Sequence, residues 1–163
     1  MESTELQWRK AFALQALSDL DAREHLAKTS LPLCHQLHFL QMACEKVCKA
    51  HQIDDEGTFE EKHDVIAKTL PVLARQVFSS QYDFNPKHGQ RAAIQKMAQE
   101  IELLSPSCNS ANSRPDNSEY PWLNGKGEVQ TPCLFSFSAI FDNRRTMVQL
   151  IQVVRRAARM YSA

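Results

Sequence analysis

The sequence predicts an all-α fold: a bundle of about five helices, up-and-down in its core, with one long ordered loop before the last helix. Three observations carry this. Apolar residues return at steps of three and four through several long runs. The 163 residues include only 4 glycines beside 7 prolines, a usage that suits helices joined by loops. Helix-start signals also precede the runs: Thr4 with Gln7, Ser30 before Pro32, Thr58 with Glu61, and Asn85 before Pro86.

The chain length predicts one domain spanning residues 1–163. Hydrophobic residues make up 43% and charged residues 23%, enough apolar material for one sizeable core. Nineteen basic and nineteen acidic residues cancel, so no global charge draws the chain to nucleic acid or to a membrane. No apolar run reaches the roughly 18 residues of a transmembrane helix. The N-terminal MESTELQWRKAF lacks the apolar core of a signal peptide, which predicts a cytosolic protein. The five cysteines contain no CxxC and read as reduced, mostly buried thiols rather than a disulfide framework.

The first helix is predicted from Thr4 to about Lys28, with Trp8, Ala11, Phe12, Ala16 and Leu20 at helical spacing. The second, Pro32 to His51, is the organising element. Leu33, Leu37, Leu40, Cys44, Val47, Cys48 and His51 share one face, and Phe39, Met42, Ala43 and Ala50 widen it. A helix apolar around so much of its circumference is expected at the centre. A third helix is predicted from the Thr58 capping box to about Ser80, with Pro71 kinking it or splitting it in two. The fourth follows Asn85 and carries Ile94, Met97, Ala98, Ile101 and Leu104.

Ser105 to Ser136 is too long for an ordinary loop. Its first half, to Ser113, is small and polar and is expected to be mobile. Its second half holds Tyr120, Trp122, Leu123, Val129, Leu134 and Phe135, and is expected to pack on the bundle. The last helix is predicted to start between Ser138 and Asn143. It buries Met147, Leu150, Val154 and Ala158 and carries Arg144, Arg145, Arg155, Arg156 and Arg159 outside.

Four groupings have chemical content. Cys44, Cys48 and His51 fall at i, i+4 and i+7, a spacing that can ligate a soft metal. A core stripe of two thiols and a terminal histidine explains the same spacing, and no metal is expected. The same holds for Cys34, His35 and His38. The loop residues Arg114, Asp116, Asn117, Glu119, Tyr120 and Trp122 form the richest polar cluster, fit to hold a ligand or partner or to make turn bonds. Arg144 and Arg145 are candidates for contact with a phosphate or a partner, although charge runs on helices are usually solvated faces. Glu45, Lys46 and Lys49 read as surface pairing.

The segments ALSDLDAREHLAK (Ala16 to Lys28) and HFLQMACEKVCKAH (His38 to His51) resemble the HEPN family, helical domains of prokaryotic toxin–antitoxin and nucleotidyltransferase-associated systems. The resemblance rests on an aspartate-bearing first helix and on Gln41, Glu45, Lys46, Lys49 and Ala50 in the second. It implies a bundle of four or more helices, commonly a two-fold dimer, with a nucleotidyltransferase-type antitoxin as a protein partner. Catalytic members are metal-independent ribonucleases, marked by an arginine followed after four to six residues by a histidine. No arginine here has a histidine at that spacing.

The expectation is therefore a non-catalytic, HEPN-like binding domain, homodimeric, without cofactor. A different reading is a ribonuclease or nucleotide-processing toxin with a relocated site using Arg114, Glu119, Arg144 or histidines. A third is a small-molecule or nucleotide-binding protein using the 114–122 loop.

Overall fold

Leu37, Leu40, Ala43, Cys44, Val47, Cys48 and Ala50 are all at most 2% exposed in the computed structural model of the chain. They lie on helix α2 (Leu33–Gln52), which touches α1 (Thr4–Leu26), α3 (Ile66–Ser79), α4 (His88–Glu102) and α6 (Arg144–Ser162). The predicted central rod is thus central, and the all-α bundle is as expected. Among the described residues five helices are substantial, and a sixth, α5 (Pro106–Asn109), is a single turn. The structure describes residues 3–53, 63–79, 88–109 and 115–163. The expected Thr58 and Asn85 caps, the acidic connection around Gly57 and the Gln81–Asn85 linker lie outside the described residues.

The core is one continuous cluster. From α1 it takes Ala13, Ala16 and Leu20, from α3 Ile66, Leu70, Leu73 and Val77, and from α4 Ile94, Met97 and Ile101. From α6 it takes Leu150, Val153, Val154, Ala157 and Ala158. Each set keeps the three–four spacing that the sequence shows. Pro71 sits within α3, which runs as one helix from Ile66 to Ser79 rather than as two. Glu102 accepts from the backbone N–H of Ala67 at 2.9 Å, so α4 supplies a carboxylate to the first turn of α3.

Two helix caps differ from expectation, while the last helix begins within the predicted window from Ser138 to Asn143. Ser3, not Thr4, caps α1, its hydroxyl accepting from the Leu6 N–H at 3.3 Å. Pro32 is the N-cap of α2, with no side-chain cap bond, so Ser30 does not cap it. The last helix has two beginnings. Ser138 starts a 3-10 turn at Ala139–Asp142, and Asn143 then caps α6 by accepting from the Thr146 N–H at 3.1 Å.

From residue 115 on, the excursion before α6 carries a small hairpin of β1 (Trp122–Leu123) and β2 (Val129–Gln130), antiparallel, and residues 110–114 lie outside the described residues. Gly127 turns it with φ +76°, a conformation that disfavours a side chain. Trp122 meets Phe135 edge-on at 4.9 Å, and Phe135 meets Phe137 edge-on at 5.2 Å. Phe137 packs on the main core. This aromatic chain joins the excursion to the bundle. Leu123, Val129 and Leu134 do not take part. They are 61%, 72% and 84% exposed, against the expectation that they pack inward. The hairpin places Leu123 opposite Val129 on its outer side, so alternation carries both away from the bundle. In the first half, expected to be mobile throughout, residues 106–109 form a helical turn and Ser105 is buried.

Candidate functional site: a cleft between α2 and the excursion

Asn117 sets the geometry. Its side-chain oxygen accepts from the N–H groups of Glu119, at 2.9 Å, and Tyr120, at 2.7 Å. Its amide donates to the Pro115 carbonyl at 3.2 Å. That is an Asx turn, the local bonding by which asparagine replaces regular structure. Ser118 beside it is buried, and its N–H donates to the Leu104 carbonyl at the end of α4, at 3.2 Å. The turn is thereby tied to the bundle, and it presents Glu119 and Tyr120 outward.

Facing that turn is the uncapped start of α2, with Cys34, His35 and His38. A 3-10 turn at Pro132–Leu134 closes the third side. Together they enclose an open cleft of about 350 Å³, lined by Cys34, His35, His38, Ser118–Pro121 and Thr131–Cys133. That volume suits a small ligand. Polar groups converge there from three stretches of chain, and Glu119 is the one carboxylate among the described lining residues. Its Oε1 lies 3.7 Å from His38 Nδ1, too far for a hydrogen bond. His38 Nδ1 is nonetheless out of solvent and has no hydrogen-bond partner among the described residues. A buried polar atom left so carries a cost, and an incoming ligand atom can relieve it.

The cysteines divide by environment. Burial pushes the Cys34 thiol up, while the backbone N–H groups of His35 and Cys34 pull it down. Cys44 and Cys48 lie fully inside the core, where burial holds their thiols well above the ordinary range. Their spacing with His51 is a core stripe. His51 Nδ1 instead lies 2.7 Å from the Tyr161 hydroxyl on α6, with burial and nearby Arg9 holding the imidazole below its usual pKa. Among the described residues no group of three or more histidine, cysteine or acidic side chains could hold a metal.

Of the candidates named from sequence, Glu119 and Tyr120 line the cleft and Asn117 holds it in place. Trp122 turns away to Phe135. Asp116 is half-buried beside Asn117 and is absent from the cleft lining. Arg144 and Arg145 are exposed at the start of α6 and are not among the cleft's lining residues. Arg114 lies outside the described residues. Sequence reasoning missed Thr131 and Cys133 altogether. It did note Cys34, His35 and His38, but only as a helical spacing. Nothing local joins those three to residues 118–121 and 131–133, which the fold brings to them.

The polar edge of α2 is a second finding. Glu45 is 7% and Asp19 5% exposed, so these are not surface pairs. Lys46 binds Asp19 across the α1–α2 contact, and Gln15 also donates to Asp19. Glu45 gathers Lys49 at 2.8 Å, Gln41 at 2.9 Å and His63 at 3.0 Å. Arg23 Nε and Gln41 Oε1 are buried without a hydrogen-bond partner among the described residues. The network locks two helices in register, and Glu45, Lys46 and Lys49 serve it.

On its outer side α1 exposes Trp8 and Leu14, 49% and 53% accessible, with Ala11 between them and Gln7, Gln15 and Ser18 around. No charged side chain falls on that strip. Outside it, Arg155 of α6 reaches Asp21 at 3.1 Å and Glu24 at 2.7 Å. No described helix is long and apolar enough to cross a membrane. No family model, no curated protein and no solved structure matches the chain.

Proposed function

We propose that this protein is a non-catalytic, HEPN-like binding domain that takes a small ligand in the cleft between α2 and the excursion, and that it acts as a homodimer. The observation that carries the binding reading is the cleft itself: about 350 Å³, with Glu119, His35, His38 and Tyr120 converging and His38 Nδ1 without a hydrogen bond among the described residues. The rigid part of the wall is α2, which contributes ten buried residues, and the facing turn is fixed by three Asn117 bonds. Such preorganisation reduces the entropy lost on binding.

The dimer reading is supported by the uncharged strip of α1. An exposed tryptophan and leucine on one helix face, without charge between them, suit burial against the same strip of a second copy. An antitoxin-type protein partner remains a proposal of the resemblance alone.

A ligand-observed NMR screen of small polar compounds tests the binding reading. Compounds are expected to bind the wild type and to lose at least about tenfold in affinity in Glu119→Ala, the equivalent of ~1.4 kcal/mol. Equal binding by that variant would remove the cleft from the account. RNA incubated with the pure protein is expected to stay intact. Cleavage that disappears in Arg144→Ala or Arg145→Ala would replace this reading with the ribonuclease one.

A further inference from the structure

Two cysteines far apart in the sequence line one cleft. Cys34 stands in the first turn of α2, and Cys133 in the Pro132–Leu134 turn. The Cα traces of α2 and that turn approach within 8 Å. The sulfurs also feel one another, since a charge on Cys133 makes Cys34 harder to ionise. The other thiols stand apart. Cys44 and Cys48 are sealed in the core, and Cys108 lies near Glu102 beyond α4.

We propose that Cys34 and Cys133 form a modification site, a dithiol that a small disulfide of the glutathione type oxidises to an intramolecular bridge across the cleft. Exposure sets the order of events. Cys133 is exposed and reacts first. It loses its proton to water, its sulfur bonds to one sulfur of the small disulfide, and the other sulfur leaves as a thiolate. Cys34, buried in the cleft wall, then gives up its proton through the cleft, and its thiolate attacks Cys133 Sγ. The mixed disulfide breaks, the second small thiolate departs, and the Cys34–Cys133 bond remains. Two protein thiols are oxidised, one small disulfide is reduced to two thiols, and the departing thiolates take up the two protons.

Cys34 suits the second step. It is shielded from the bulky oxidant but lines the same cleft as Cys133. Burial holds its thiol above the ordinary range, an effect that the backbone N–H groups of His35 and Cys34 only partly offset, so the closing step is slower than the first. A disulfide needs Cα atoms about 4.4–6.8 Å apart. Any closing movement falls on the exposed Cys133–Leu134 turn rather than on α2. Bridging draws that turn onto the helix start and narrows the cleft. In a reducing compartment such a bridge is transient, which fits a redox-responsive pair. The bridge needs no ligand in the cleft, so it stands or falls separately from the binding reading.

The test uses the reduced, full-length protein with excess glutathione disulfide, quenched with N-ethylmaleimide. Intact mass and non-reducing peptide mapping are the readouts. The wild type is expected to lose two hydrogens and to yield a linked Cys34–Cys133 peptide pair. Cys34→Ser should stop at a glutathione adduct on Cys133, and Cys133→Ser should form no bridge. A wild type that stops at the Cys133 adduct, stays fully reduced, or links Cys108 instead would overturn the proposal. Cys133 is exposed, so its serine variant keeps the fold, and circular dichroism checks the Cys34 variant.

Discussion

Asn117 and Glu119 are two residues apart in one turn and have opposite roles. Asn117 is 5% exposed and spends its side chain on three backbone bonds. Asn117→Ala strands the two N–H groups it holds, at a cost of about 1–3 kcal/mol, read as a lower denaturation midpoint. Glu119→Ala removes a loose 3.7 Å pairing with His38 and should leave that midpoint within about 0.5 kcal/mol of wild type while weakening ligand binding. If both variants behave alike, the division between scaffold and site is wrong. His51 makes a pH prediction. Its folded pKa is depressed below 6.5 by burial and by Arg9, so the unfolded chain binds the extra proton more readily. Its contribution is whole above the unfolded value and is lost as pH falls through 6.5 toward the lower folded value. Melting temperature followed across that window should fall more steeply in the wild type than in His51→Gln; parallel curves would contradict this. At this scale the sequence was partly legible. Asn117 and Glu119 stood out as polar residues in a turn, but which one is spent on the turn and which one faces the cleft depends on distances that only the fold sets.

Among the elements, α2 decides most. Leu40 is fully buried, and Leu40→Ala should cost about 2–5 kcal/mol by chemical denaturation. The α1–α2 seam has a polar counterpart in Asp19 and Lys46. Asp19→Ala leaves a largely buried ammonium without its partner, which costs about 3 kcal/mol. A double variant that also replaces Lys46 with methionine should recover much of that loss. A double variant as unstable as the sum of the single ones would mean that the two charges do not act as a pair. The helices themselves were readable because each buries one stripe at 3.6-residue spacing. Their caps were read less well. A serine or threonine near a start announces a cap, but Ser3 rather than Thr4 takes the first, and α2 begins on Pro32 with none. The burial of Glu45 was hidden for a related reason: charges on a helix read as a solvated edge until a second helix lies over them. Leu123 and Val129 mislead in the other direction. Apolar residues predict burial, yet a two-residue-wide hairpin has an outer side that nothing covers.

Over the whole molecule, the bundle supplies rigidity and the excursion supplies a wall. The cleft exists because residues 118–121 and 131–133 are both brought against the start of α2, a placement that no local pattern encodes. The α1 strip belongs to this scale as well. Ala11→Arg with Leu14→Glu should convert a dimer to a monomer by sedimentation with unchanged helicity, and a dimer that persists would exclude that face. The most direct test of the account is amide chemical-shift mapping of the isotope-labelled protein with the best compound from the screen. The account predicts shifts gathered at residues 34–38, 118–121 and 131–133. Shifts confined to the α1 strip or to the start of α6, with the cleft silent, would contradict it.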